Sequence, residues 1–180
     1  MSASQAVSKS GAISFMAWAL LLSVCCELQA IEEVARPEET PELEDIRYLI
    51  ARDEAPQGVL LHTREYDEDA YIWVAPRLEY YVYLLREKFP DVPVIIISHG
   101  DEMRSFTHAN RVKYQRVHAA IKHMVEMLEV DFQVCGSFAS YNNIDASEFP
   151  EYIIVIPSAP AAFTDYRELG YDLIEVELSW

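Results

Sequence analysis

The chain has 180 residues, of which 51% are hydrophobic and 12% aromatic, and its formal net charge is −16. This length and apolar content predict one globular domain with a sizeable core, and they exclude a disordered chain. The excess of 30 acidic over 14 basic residues excludes general nucleic-acid binding, because a phosphate backbone requires a basic surface. Three cysteines are too few for a disulfide scaffold.

The first 30 residues have the pattern of a secretory signal peptide. Lys9 precedes the uncharged apolar run 11–26, and the small residue Ala30 ends the segment before an acidic stretch. We expect cleavage after Ala30 and export to the periplasm or the outside of the cell. An uncleaved membrane tether is the alternative, although the apolar run is short for crossing a bilayer.

Removal of the segment 1–30 changes the meaning of the cysteine count. Cys25 and Cys26 leave with it, so Cys135 becomes the single thiol of the mature chain. The net charge stays at −16, because one lysine and one glutamate are lost. A lone cysteine in an oxidising compartment is buried and inert, paired with a partner, or chemically active.

The mature chain divides into an acidic linker with a short docking helix (31–57) and an α/β domain (58–180). In the helix, predicted at 42–52, Ile46, Leu49 and Ile50 share one face. In the domain, we predict strands at 58–64, 93–98, 131–135, 152–156 and 171–178. We predict helices at 76–89, 107–129 and 159–169, and a short helical turn after residue 135. The last helix has Ser158 as its N-cap and Gly170 as its stop signal.

The regular alternation of strands and helices determines the predicted fold class. Strands separated by helices at this spacing form βαβ units with right-handed crossovers and a mostly parallel sheet. The uninterrupted apolar run 94–97 is typical of a strand covered on both faces. The sequence therefore predicts a three-layer α/β/α sandwich around a five-stranded sheet.

Three residues whose side chains could take part in a reaction fall near the ends of predicted strands, where ligands bind in open α/β sheets. These are His62, His99 and Cys135. Free N–H groups in the turn after Cys135 would favour a thiolate, whereas the acidic surroundings oppose it. A packed, inert thiol is the alternative. His99 either assists a thiol or substrate or caps its strand, and His62 is expected to be structural.

The other polar clusters are expected to be structural. His108, His118 and His123 are predicted as solvated helix residues, since the spacing of the last two does not place both on one face for zinc. Asp101 and Glu102 are predicted in a solvated loop. A tyrosine-rich stretch in the first domain helix packs against the docking helix or forms a subunit interface; it comprises Tyr80, Tyr81 and Tyr83. The chain has no glycine-rich nucleotide loop and no nucleophile elbow.

Four short segments, in this order, resemble the DsrE/DsrF-like family. They are VIIISHG at 94–100, VCG at 134–136, VIPS at 155–158 and LGY at 169–171, and the resemblance covers about 58–178. It implies a flavodoxin-like fold, assembly into trimers or hexamers, and a cysteine that carries persulfide sulfur in relays. Cys135 matches that cysteine and His99 matches the family's His-Gly step. The chain departs from the family in having charged residues after Gly100.

The leading hypothesis is an exported persulfide carrier that uses Cys135 and His99, needs no cofactor, and forms a homo-oligomer. Because the strong negative charge disfavours capture of anionic sulfur donors from solution, we expect a thiol- or persulfide-bearing protein as its partner. The alternative is a non-catalytic binding or assembly module of the same fold with a structural cysteine. A metal-binding role ranks third.

Overall fold

The computed structural model describes residues 39–178. The predicted signal peptide, with Cys25 and Cys26, lies outside these residues. Among the helices of the described residues, none has the length and apolar character needed to cross a membrane.

Five helices and five strands form the domain that the structure describes. The helices are α1 (Pro41–Ile50), α2 (Tyr71–Lys88), α3 (Gln115–Met127), α4 (Gly136–Tyr141) and α5 (Ala159–Glu168). The strands are β1 (Val59–Thr63), β2 (Val94–Ser98), β3 (Val130–Cys135), β4 (Ile154–Ile156) and β5 (Asp172–Val176). Short 3-10 helices lie at Asp101–Phe106, His108–Asn110 and Ala146–Glu148.

The sheet is fully parallel, with the strand order β4-β3-β2-β1-β5. The predicted α/β fold with helices on both faces is therefore confirmed. His62 on β1 is in register with Ile97 on β2, and Ile97 with Gln133 on β3. On the other side, His62 is in register with Glu175 on the edge strand β5.

Two predicted helices have different starting points in the structure. Helix α2 begins at Tyr71 rather than at Pro76, because Tyr71, Val74 and Ala75 are all buried in the core and extend the helix backwards. The predicted helix 107–129 is shorter, since α3 begins only at Gln115. The Thr107 hydroxyl and the Asn110 side-chain amide both donate to the Arg104 carbonyl, at 3.0 and 2.9 Å, and these local bonds compete with a helix that starts at Thr107.

The main hydrophobic core lies between one face of the sheet and the helices α1, α2 and α3. From the sheet it takes alternate side chains such as Leu61, Ile96 and Phe132. Alternation with period two sends these side chains to one face and their neighbours to the other. Helix α1 packs into the same core through Leu43, Ile46 and Leu49.

On this face of the sheet one prediction of solvent exposure is corrected, and packing against the docking helix, one of the two expectations for the tyrosine-rich stretch, is seen at Tyr81. His118 on α3 is 5% exposed rather than solvated, since its ring nitrogens bond to the Tyr152 hydroxyl and to the Ser105 carbonyl. Tyr81 is fully buried against α1, where its hydroxyl lies 2.9 Å from Thr40 Oγ1. Tyr83 remains exposed.

The opposite face of the sheet is covered by α5 and has a different composition. Leu60, Ile95, Ile97 and Cys135 form a small apolar cluster there with Ala159 of α5. Polar side chains accompany them, since His62 and Gln133 are buried on the same face. Ser158 precedes α5 in an extended conformation, and Gly170 follows it with φ of 81°, as the helix signals predicted.

Replacement of Ile46 by alanine tests the contribution of α1 to the core. Ile46 is fully buried, so Ile46→Ala should lower the free energy of unfolding by about 2–5 kcal/mol in urea titrations. Tyr48 on the exposed face of the same helix is the matched control, and Tyr48→Ala should cost less than about 1 kcal/mol. Equal losses in the two variants would contradict the packing of α1 described above.

Candidate functional site

A buried carboxylate, Glu102, ties together the carboxyl ends of β1 and β2. Its Oε1 accepts hydrogen bonds from the Ser98 hydroxyl at 2.7 Å and from the His99 and Gly100 N–H groups at 3.2 and 3.1 Å. Its Oε2 accepts the Glu65 N–H at 2.9 Å. The prediction of a solvated Glu102 is therefore wrong: the side chain is fully buried because strand-end donors surround it.

Burial dominates the protonation of Glu102. Removal from water raises the pKa of the Glu102 carboxyl to about 7, although the hydrogen bonds from Ser98 and from backbone N–H groups act in the opposite direction. The carboxyl therefore changes charge near neutral pH, inside the structure that positions His99.

Glycine is required after His99 because the chain at residue 100 passes close to the backbone of Glu65. A Cβ atom on Gly100 would lie 2.2 Å from the Glu65 carbonyl oxygen and 2.2 Å from Glu102 Oε2. Only glycine leaves room for the Asp101 N–H to reach the Glu65 carbonyl at 2.8 Å. The His-Gly step thus fixes the point at which the chain leaves β2, directly after His99.

Cys135 ends β3 with its sulfur facing the start of α5. The Ala159 N–H, at the first residue of α5, donates to Sγ at 3.3 Å. The Ser137 hydroxyl lies 3.2 Å from the same sulfur. Cys135 is a free thiol with no exposed surface, whereas Ser137 is exposed.

An open groove of about 370 Å³ lies beside this cysteine. It runs between α4 and the end of β4, and its lining includes Ser137, Ile144, Val155 and Pro157. Ser137 both contacts the sulfur and lines the groove, so its side chain connects the two.

His99 is placed next to Cys135 by the sheet register. Ser98 pairs with Val134, so His99 and Cys135 occupy the next position on adjacent strands, whose spacing in a sheet is about 4.8 Å. His99 is half-buried, with its ring 5.7 Å from the Phe138 ring and 6.3 Å from the Phe163 ring. Burial, with the nearby His62 and Arg64, lowers the pKa of His99, which favours the neutral imidazole.

His62 brings a third ionisable group to the same side of the sheet. Its Nδ1 is hydrogen-bonded to the Glu175 carboxylate, and its ring lies 5.9 Å from the His99 ring. Burial lowers the pKa of His62, although Glu175 opposes this change. The expectation that His62 lies within a strand is met, but its side chain also neighbours a candidate catalytic residue.

The structure thus places Cys135 and His99 at neighbouring strand ends and adds residues that sequence reasoning missed. Ser137, two positions after Cys135, was not singled out, and Glu102 and Glu175 had no recognisable motif. The alternation along β1 was the available signal for His62, since it places this residue on the face of Leu60. Within residues 39–178, no group of three or more His, Cys, Asp or Glu side chains is arranged to hold a metal ion.

Comparison with solved structures supports the fold. MTH1491 of Methanobacterium thermoautotrophicum, a protein of unknown function, matches with a TM-score of 0.52 and 16% identity, over 66% of this chain and 97% of that protein. BT1422 of Bacteroides thetaiotaomicron, also of unknown function, matches with a TM-score of 0.49 and 16% identity, over 65% and 94% of the two chains.

YchN of Escherichia coli matches with a TM-score of 0.46 and 9% identity, over 67% of this chain and 99% of that protein. No protein-family model matches the chain, and comparison with curated proteins gives no match. The match to MTH1491, at 16% identity, shows a shared α/β fold that is consistent with a flavodoxin-like arrangement.

Glu102→Gln should destabilise the protein by about 1–3 kcal/mol, because the amide places an N–H group against the backbone donors that the carboxylate accepts. Urea unfolding of both proteins measures this difference. His118→Gln removes a buried ionisable group elsewhere and serves as a comparison.

The difference in stability between the wild type and Glu102→Gln should also change with pH in a defined direction. The folded pKa of Glu102 is raised to about 7 from an ordinary value of 4.5, so the folded state holds the proton over this interval. The stability of the wild type relative to Glu102→Gln should therefore fall as the pH rises from about 4.5 to about 7, and level off above. A difference that stays constant, or grows with pH, would contradict a buried carboxyl of this kind.

Proposed function

We propose that this chain is a sulfur carrier in which Cys135 holds sulfur as a persulfide. The observation that supports the proposal is the convergence of the Ala159 N–H and the Ser137 hydroxyl on one sulfur atom. Hydrogen-bond donors directed at a cysteine favour the thiolate, which is the nucleophilic form. The sulfur also lies at the carboxyl edge of a parallel sheet, where open α/β folds bind ligands.

The proposed reaction transfers one sulfur atom from a persulfide to the Cys135 thiol without net oxidation. The Cys135 thiolate attacks the outer sulfur of a donor persulfide, R–S–S–H, and a new S–S bond forms at Cys135. The S–S bond of the donor breaks, and the leaving thiolate R–S⁻ takes up the proton that Cys135 released. A second thiol then attacks the outer sulfur on Cys135 and carries it away, which regenerates the Cys135 thiolate.

His99 is the proposed base for the first step. His99 follows Ser98, the register partner of Val134, so its backbone lies beside that of Cys135, and its lowered pKa keeps the imidazole able to accept a proton at neutral pH. The hydrogen bonds that Glu102 accepts from the His99 and Gly100 N–H groups hold the His99 backbone at the strand end.

The proposal also covers the assembly, the location and the partner of the carrier. The resemblance of the segments around His99 and Cys135 to DsrE/DsrF-like proteins suggests the persulfide chemistry and a homo-oligomer, a trimer or hexamer. The apolar run 11–26 suggests export to the periplasm. Because the chain carries −16 net charge, a protein that delivers sulfur by direct contact suits it better than a small anionic donor.

One observation favours a second candidate function. Cys135 has no exposed surface, as expected for a packed thiol in a binding or assembly module of the same fold. In that case the groove beside α4, rather than the sulfur, receives a partner. For the carrier, the Ser137 side chain must move aside so that a donor in the groove reaches Sγ.

Sulfur loading tests the carrier directly. The full chain with Cys25→Ser and Cys26→Ser, treated with a persulfide donor, should gain one sulfur atom in intact mass spectrometry. The additional change Cys135→Ser should abolish this gain. Absence of the adduct from the protein that retains Cys135, or an equal adduct on the protein that lacks it, would overturn the proposal.

Ser137→Val should slow sulfur loading roughly tenfold or more, because it removes a hydrogen bond to the sulfur anion and narrows the approach from the groove. Thr164→Val on α5 is the matched control, since that hydroxyl is exposed and bonds only to the Pro160 carbonyl. It should leave the rate within about twofold. Equal rates for Ser137→Val and the control would remove Ser137 from the mechanism.

Thiol protection separates the carrier from the binding module. If Cys135 is a carrier, a small neutral thiol reagent should label the native protein faster than the protein unfolds globally, because local movement of Ser137 is sufficient. If the cysteine is structural, labelling should require global unfolding and should follow the unfolding rate. Measurement of both rates on the same sample decides between the two.

A further inference from the structure

A line of ionisable side chains crosses the sheet beneath α5 and ends at Cys135. Glu175 on β5 and His62 on β1 are register partners, and His62 Nδ1 is hydrogen-bonded to the Glu175 carboxylate. The His62 and His99 rings lie 5.9 Å apart, and His99 occupies the position beside Cys135. The line therefore spans the adjacent strands β5, β1, β2 and β3.

One atom in this line has an unmet hydrogen-bonding capacity. His62 is 7% exposed, and its Nε2 has no hydrogen-bond partner among the atoms that the structure describes. Because a carboxylate only accepts, Nδ1 carries the ring proton and Nε2 keeps a free electron pair in the neutral ring. A buried acceptor without a donor is costly, which suggests that a donor arrives in another state of the protein.

We propose that His62, held by Glu175, supports a proton relay in which His99 takes the thiol proton of Cys135 and later passes it on: His62 Nε2 accepts a hydrogen bond from the protonated His99. This inference rests on the proposed carrier function and adds a residue to it. His62 acts through His99 and is therefore a positioning residue, whereas His99 is the group that meets the reacting sulfur.

The proton balance of the relay is simple. The proton leaves Cys135 Sγ and binds a ring nitrogen of His99, which becomes an imidazolium. A small rotation of the half-exposed His99 ring then directs one N–H at His62 Nε2, and no electron is transferred. After sulfur has bound to Cys135, the same proton passes from His99 to the leaving thiolate of the donor. A charged His62 disfavours a charged His99, but the neutral His62 that burial favours offers an acceptor that stabilises the charged form of His99.

The surroundings of His62 support a neutral resting ring with a fixed tautomer. The charged groups that act on it are Glu175 on β5, Glu177 after β5 and Arg64 after β1. Arg64 disfavours a charged ring and the two glutamates favour it, but burial outweighs them and lowers the pKa of His62. From α5, the Phe163 ring packs 4.3 Å from the His62 ring and shields it from water.

The relay is tested by the pH profile of Cys135 alkylation with iodoacetamide, a neutral probe that the protein charge does not repel. The full chain with Cys25→Ser and Cys26→Ser serves as the reference. His62→Phe keeps a ring of similar size and removes the acceptor. It should slow alkylation at pH 7 roughly tenfold and shift the acidic limb of the profile to higher pH.

Two further variants make the result specific. Glu175→Gln keeps an acceptor for Nδ1–H, so its profile should lie between those of the reference and His62→Phe. His118→Gln removes another buried histidine, on the opposite face of the sheet, and should leave the profile unchanged. Should His62→Phe not fold, Glu175→Leu takes its place, because Glu175 is about half exposed and tolerates replacement. Its profile should then move like that expected for His62→Phe.

Each outcome decides one proposal. A profile for His62→Phe, or for Glu175→Leu in its place, that superimposes on the reference overturns the relay. If the reference protein in that case still takes up one sulfur atom on Cys135, the carrier proposal stands without the relay. If the reference protein takes up no sulfur, the carrier proposal fails irrespective of the profiles.

Discussion

The carboxylate of Glu102 is the interaction on which the strand ends depend. Its two oxygens accept four hydrogen bonds, from the Ser98 hydroxyl at the end of β2 and from the N–H groups of Glu65, His99 and Gly100, and the side chain is fully buried. A buried carboxyl group without these donors would be strongly unfavourable, so the segment 98–102 must fold around it. The position of His99 follows from this constraint, and so does the requirement for glycine at residue 100.

The two faces of the sheet differ in the kind of side chain they bury. One face packs against α1, α2 and α3 in a large apolar core, whereas the face beneath α5 holds a smaller apolar cluster with ionisable and amide side chains. Only Ala159 is buried among the ten residues of α5. Elements with little buried apolar surface open locally at lower free energy than a main core, and the proposed carrier would use such opening to expose its sulfur.

The burial of Cys135 is the observation that any function must accommodate. A carrier needs its outer sulfur accessible to two partners in turn, and the sulfur described here is covered by Ser137 and by the first turn of α5. The same contacts that cover the sulfur also direct donors at it. In the proposed carrier, the same two groups therefore both cover the sulfur and hydrogen-bond to it.

Much of the architecture could be predicted from residue patterns, because βαβ alternation, buried β-branched runs and helix end signals are local properties. The positions of Cys135 and His99 at strand ends followed from the same patterns. Glu102 and His118 were wrongly expected in solvent, since the hydrogen bonds that bury them come from Glu65 and Tyr152, 37 and 34 residues away. The start of α2 was missed because core packing of Tyr71 outweighs the local signal at Pro76.

The sequence by itself determined the α/β class, the parallel strands and the choice of Cys135 as the one thiol of the domain. Only the tertiary structure decided that this thiol is covered, that His99 lies beside it, and that Glu175 and His62 continue the line of ionisable groups. The physical reason is that register between strands distant in the chain sets which side chains become neighbours. No local pattern of residues contains that information.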